Sequence, residues 1–63
     1  MKKIGIVEFK YLKEADEMHY RVIEGSYYPS AAQTTAAKKI MKTRGIGKTR
    51  FEIYDDGKSI KEI

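Results

Sequence analysis

Sixty-three residues with no cysteine, carrying 13 Lys or Arg against 9 Asp or Glu, make a basic chain of net charge +4. That length permits one domain, residues 1–63, with one small core, because a chain of this size buries only about 60% of the surface it exposes when unfolded. Without cysteine there is neither a disulfide framework nor a thiolate metal site, and no apolar run approaches a membrane span or a signal peptide; a cytoplasmic domain that gains stability by forming a homodimer is therefore expected.

"IGIVEFKYL" alternates, with Val7, Phe9 and Tyr11 on one face and Glu8 and Lys10 on the other, which is the pattern of a half-buried strand. "KEADE" follows as a polar connection without an apolar anchor. "MHYRVI" is the second strand, with Met18, Tyr20 and Val22 on one face and His19, Arg21 and Ile23 on the other. A short link between two such strands predicts an antiparallel hairpin. Gly25 and Pro29 then break the alternation, so Tyr27 and Tyr28 are expected either in a short strand or in a loop at the edge of the core.

A helix is predicted to begin at Ser30. Ser30 and Gln33 have capping-box spacing, in which a hydroxyl and a side-chain amide satisfy backbone groups of the first turn, although Thr34 and Thr35 are also able to cap. On a 100° wheel Gln33, Ala36, Ala37, Ile40 and Met41 share one arc, while Thr35, Lys38, Lys39 and Lys42 share the opposite one. Gly45 supplies a left-handed stop, and Lys42 and Arg44 suit the negative end of the helix dipole. "TRFEIY" returns to strand alternation, Asp56-Gly57 signals a tight hairpin turn, and Ile60 and Ile63 give a short last strand apolar character. The expected fold is α+β: an antiparallel sheet of three to four strands with one helix packed on one face, in the order ββαβ or ββαββ. By parity the open sheet face carries Glu8, Lys10, His19, Arg21, Arg50, Glu52 and Tyr54.

The charge is unevenly distributed. Met1 to Glu24 is neutral in sum, whereas Lys38 to Phe51 holds six cations and no acid. Asymmetry of this kind suggests a polyanion as partner. "GKT" at Gly47 to Thr49 copies the end of a phosphate-binding loop, but Lys42 stands where the motif's first glycine belongs, and a helix precedes a strand instead of following one. "GIG" followed by "KT" resembles the turn of a helix-hairpin-helix motif over Gly45 to Thr49, and that resemblance requires the segment after it to be helical. The general expectation is electrostatic: Lys38, Lys39, Lys42, Arg44, Lys48 and Arg50 contact nucleic-acid phosphates without reading bases.

His19 is the single histidine. With no cysteine and only scattered carboxylates it makes no metal site, and with Arg21 alone beside it on the strand it does not amount to a nuclease centre, so neither enzymatic activity nor a cofactor is expected. Tyr11 and Tyr20, in phase with Phe9 and Val22, are expected in the core. An exposed sheet edge, or the loop bearing Tyr27 and Tyr28, forms an alternative protein-docking site, for another protein or for a second copy of the chain.

Thr35, Ala36, Ala37 and Lys38 at the start of the helix, with Gly57 and Ile60 in the closing strand pair, give about the last forty-five residues a pattern that resembles a family of short bacterial and phage proteins. The chain departs from it at Met18 and His19, where that family places an aromatic residue ahead of the second strand. The sheet-then-helix order is also similar to the arm-binding domains of phage integrases, which lack a strand after the helix. Neither resemblance implies a catalytic residue.

Overall fold

A computed structural model describes every residue from Met1 to Ile63. β1 (Lys3–Leu12), β2 (Glu17–Glu24), α1 (Ala31–Arg44), β3 (Lys48–Tyr54) and β4 (Ile60–Glu62) follow one another along the chain. The four strands form one antiparallel sheet in the order β2-β1-β3-β4, so the longest strand is central and the helix carries the chain from one edge to the far side of β1. The architecture is the expected α+β arrangement in its ββαββ form. Because the segment after Gly47 is a strand, "RGIGKTR" ends a helix and begins a strand, and the helix-hairpin-helix geometry is absent.

Val7, Phe9, Phe51 and Ile53 point from the two central strands toward Ala37 and Met41 of the helix, and these six side chains have no exposed surface. Phe9 and Phe51 meet edge to face with centroids 5.8 Å apart. Each buried aromatic contributes about 1.5–3 kcal/mol through apolar burial. Ala37 lets the helix approach the sheet closely, while Met41 fills the space near the helix end.

The helix is tied down at both termini. Gln33 N donates to Ser30 Oγ and Ser30 N donates to Gln33 Oε1, completing the capping box. Gln33 is also 2% exposed, and its Nε2 donates to the Tyr54 and Ser59 carbonyls at 2.9 and 3.1 Å, while Ser30 Oγ donates to Gly57 O. One capping residue thus anchors the helix to the β3–β4 hairpin. At the other end Gly45 adopts φ 67°, and Ile46 N donates to Met41 O at 2.9 Å, a Schellman-type stop that brings Ile46 onto the core.

Two β1 departures shape the sheet. Ile4 is an extra residue on β1 opposite β3 and Ile23 is an extra residue on β2 opposite β1, and β1 lies against the end of β2 where Gly5 meets Gly25. A Cβ on Gly5 would stand 2.5 Å from Glu24 O, and one on Gly25, at φ +90°, would stand 2.5 Å from Ile4 O. Only glycines permit that crossing.

Tyr27 and Tyr28 lie in an irregular segment, the loop of the two alternatives expected. Two expectations are corrected. The β3–β4 connection is the five-residue Asp55–Ser59 loop, not a two-residue turn, because the Asp56 carboxylate accepts the Lys58 and Ser59 amides at 2.9 and 2.8 Å and widens it. Tyr20 does face the helix side, yet it is 46% exposed, because α1 packs over β1, β3 and β4 and leaves β2 largely uncovered.

Candidate nucleic-acid interface

The six cations of the Lys38–Phe51 block are divided between opposite sides of the molecule. Lys38, Lys39 and Lys42 lie on the outer helix face, and Arg44 closes that helix. Lys48 and Arg50 lie on β3 with side chains on the sheet face that the helix does not cover, as their pairing with Lys10 and Glu8 requires.

On the helix side the charge is largely met within the chain. Asp16 Oδ2 is 3.1 Å from Lys38 Nζ and Asp16 Oδ1 is 3.3 Å from Lys42 Nζ, while Lys38 also donates to the Asp16 carbonyl. Tyr11 OH donates to Asp16 Oδ1 at 2.7 Å. The hydrogen bond from Tyr11, followed by that from Lys38, lowers the Asp16 carboxyl to about 2 and correspondingly raises the Tyr11 phenol. Arg44 pairs with Glu62, which also accepts from Thr49 Oγ1 at 3.1 Å. Lys39 alone among these four has no carboxylate partner. The polar "KEADE" link therefore has a structural duty that alternation could not reveal: it folds Asp16 back over the helix. One signal was available in principle, since Asp16 adopts φ 53°, a left-handed conformation that Asp tolerates better than most residues and that suits the last position of a tight turn.

The uncovered sheet face is organised differently, in cross-strand rows. One row runs Arg21, Glu8, Arg50, and the next runs His19, Lys10, Lys48. In the first, Glu8 is shared, with Arg21 at 3.2 Å and Arg50 at 3.4 Å. Desolvation acts to raise the Glu8 carboxyl, but hydrogen bonds from Arg21 and Arg50 and the charge of Lys48 outweigh it and leave it lowered. In the second row Lys10 and Lys48 stand opposite one another across the β1–β3 ladder with His19 on the far side of Lys10; neither lysine forms an ion pair, Glu17 reaches His19 at 3.5 Å, and Glu8 of the adjoining row feels the charge of Lys48. Across both rows four full cations stand against one carboxylate. A shallow depression of about 200 Å³ is lined by Glu8, Lys10, His19, Tyr20, Arg21 and Lys48.

Beyond these rows the face becomes neutral. Lys3 reaches Glu24 at 3.4 Å and Glu52 at 3.9 Å, and Lys61 lies opposite Glu52 in the β3–β4 ladder. Tyr54 is the one tyrosine on this side; its hydroxyl donates to Glu52 Oε1 at 3.0 Å, which raises its pKa and holds the ring in place. Tyr54 is thus not free to stack on a base.

Lys10, Arg21 and His19 belong to the cationic rows although they stand outside the Lys38–Phe51 block. Parity placed them on the open face, but adjacency to Lys48 and Arg50 depends on the register between β1 and β3, which pairs residues about forty positions apart. Tyr28 lies on the other side, beside Tyr20, with the two rings 6.0 Å apart. No protein family matches the chain, and neither a curated protein nor a solved structure shows significant similarity to it. The structure has no grouping of three or more His, Cys, Asp or Glu side chains suited to a metal ion, and no helix long and apolar enough to cross a membrane.

Proposed function

We propose that this chain is a small sequence-tolerant nucleic-acid-binding module that holds phosphate backbone on its uncovered sheet face. Lys10 and Lys48 are the central contacts, flanked by Arg21 and Arg50, with Lys39 and the paired cations Lys38, Lys42 and Arg44 as secondary, longer-range contributors. The observation that carries the proposal is the His19–Lys10–Lys48 row. Like charges directly opposite each other in a sheet are destabilising, and here they stand with no acid between them. A phosphate seated across that row would remove the repulsion.

Two further features favour backbone contact over base reading. Four strands at about 4.8 Å spacing make a surface of about 14 Å, wider than the roughly 12 Å major groove, so the flat face suits a backbone or an unpaired strand better than the floor of a duplex groove. Tyr54 is hydrogen-bonded to Glu52 and not free to stack. Cations that already hold local carboxylates release less free energy on meeting a phosphate, since each must exchange one anion for another.

Fluorescence anisotropy with labelled single-stranded and duplex oligonucleotides tests the proposal. Four phosphate contacts give a log-log salt slope of about −3.6 on duplex or about −2.8 on a single strand. Lys10→Gln with Lys48→Gln should halve the slope. Lys38→Gln, Lys39→Gln and Lys42→Gln together should reduce affinity less. No binding at low salt, or equal binding by the Lys10/Lys48 double variant, refutes it.

A further inference from the structure

We infer that β2 is the contact strand of a two-fold dimer in which a second copy of the chain extends the sheet, pairing β2 with β2 antiparallel about His19. The surface concerned is the β2 edge, which adjoins the phosphate-binding face and shares Arg21 with it, and the dimer rests on the pairing capacity of that edge alone.

The two edges of the sheet are unequally protected. β4 is three residues long and carries Lys61 at its centre, both of which discourage further pairing. β2 is eight residues long, lies at the opposite edge, and contains neither lysine nor proline. Its one irregularity, at Ile23, lies near its end and leaves Glu17 to Val22 regularly paired with β1 on one side and open on the other.

The apolar surface next to that edge is also incomplete. The helix stops short of β2, so Tyr20 is 46% exposed and contacts Phe9 on one side and Tyr28 on the other. Tyr27 and Tyr28 are 58% and 74% exposed. A stable interface requires about 1,200 Å² or more, which five paired residues alone do not bury; Tyr20 and Tyr28, met by the same pair from the second copy, add apolar area beside the strand.

Charge selects the second copy over an unrelated strand. With the two-fold axis at His19, Glu17 lies opposite the partner's Arg21, and Arg21 lies opposite the partner's Glu17. Met18 then faces the partner's Tyr20 on the helix side. Both Glu17 and Arg21 are well exposed, and Arg21 reaches Glu8 through one guanidinium nitrogen, which leaves its other donors available. Shifting the axis to Tyr20 sets His19 against the partner's Arg21, and shifting it to Arg21 opposes two guanidinium groups. Moving it to Met18 sets Glu17 against the partner's His19 and leaves Arg21 unmatched, so the register about His19 is the one that opposes full charges of opposite sign. The resulting sheet would have eight strands, with the cationic rows of both copies on one continuous face.

Sedimentation velocity over about 10 μM to 1 mM should show the native chain passing from one-chain to two-chain mass. Glu17→Arg and Arg21→Glu each replace two attractive cross-strand pairs with two repulsive ones, so each variant alone should associate about tenfold or more weakly. An equimolar mixture of the two restores both attractions and should restore the dimer. Tyr20→Ser with Tyr28→Ser should weaken association without altering the charge pattern, and far-UV circular dichroism establishes that each variant is folded. A native chain of one-chain mass at every concentration, a Glu17→Arg variant that dimerises normally, or a mixture that stays monomeric overturns the assignment.

Discussion

Replacing Gln33 by leucine should destabilise the domain far more than a surface helix substitution does. Leucine keeps helix propensity and nearly the same volume, so the loss is confined to polar contacts: Gln33 Oε1 from Ser30 N, and Nε2 to Tyr54 O and Ser59 O. Each orphaned partner costs about 1–3 kcal/mol when buried. Ser30 and Ser59 are only half-buried and regain some water, so the low end applies and the total is about 2–4 kcal/mol. A domain of this length has a total stability of about 3–9 kcal/mol, so the change removes at least about a fifth of it and, at the low end of that range, most of it. The melting temperature should fall by about 10–25 °C, given roughly 4–8 °C per kcal/mol for small domains. Urea denaturation followed by far-UV circular dichroism measures it, with Lys39→Ala as the exposed-helix control. Gln33→Glu adds a check of sign. An ionised carboxylate there faces two carbonyl oxygens, so burial raises its folded pKa above the unfolded value. Its contribution is then intact below the unfolded pKa and lost as pH rises through the folded pKa, which makes this variant relatively more stable near pH 4 than near pH 7. A Gln33→Leu midpoint within about 0.5 kcal/mol of the native chain would refute the clamp between helix and hairpin.

Acid should act on the native chain in the opposite direction. Asp16 and Asp56 are both lowered from 3.8 to about 2, Asp16 chiefly by Tyr11 and Asp56 chiefly by the Ser59 hydroxyl; the stability they contribute is present above about 3.8 and is lost as pH falls toward 2. Urea midpoints of Asp16→Asn and Asp56→Asn should therefore vary less between pH 5 and pH 2 than those of the native chain. Asp16→Asn also releases Lys38 and Lys42, and a rise in oligonucleotide affinity of more than about tenfold would shift the binding surface to the helix. Lys10→Gln with Lys48→Gln should stabilise the fold by about 0.2–1 kcal/mol by removing a like-charge pair while weakening oligonucleotide binding; the two effects have opposite sign and are read from urea melts and anisotropy on the same sample. Gly25→Ala should cost on the order of 2 kcal/mol through its positive φ and its contact with Ile4 O, and a chemical denaturation midpoint equal to that of the native chain would contradict the close crossing of β1 and β2.

The elements were legible because their signals are local. Alternation from Val7 to Tyr11 and from Arg50 to Ile53, the Ser30–Gln33 spacing and the glycine at position 45 each reflect backbone geometry over a few residues, and all four correspond to what the chain forms. The cationic surface was legible only as composition. Whether a lysine is free depends on which acid folds beside it, and Asp16 meets Lys38 and Lys42 from more than twenty residues away. Tyr20 shows the same limit in the core, since phase gives its side of the sheet but only the placement of a fourteen-residue helix over β1, β3 and β4 determines whether that side is covered. Local periodicity settles which face of an element is apolar; pairing across distant segments settles which charges cancel, and the row of His19, Lys10 and Lys48 exists only because the β1–β3 register brings it together.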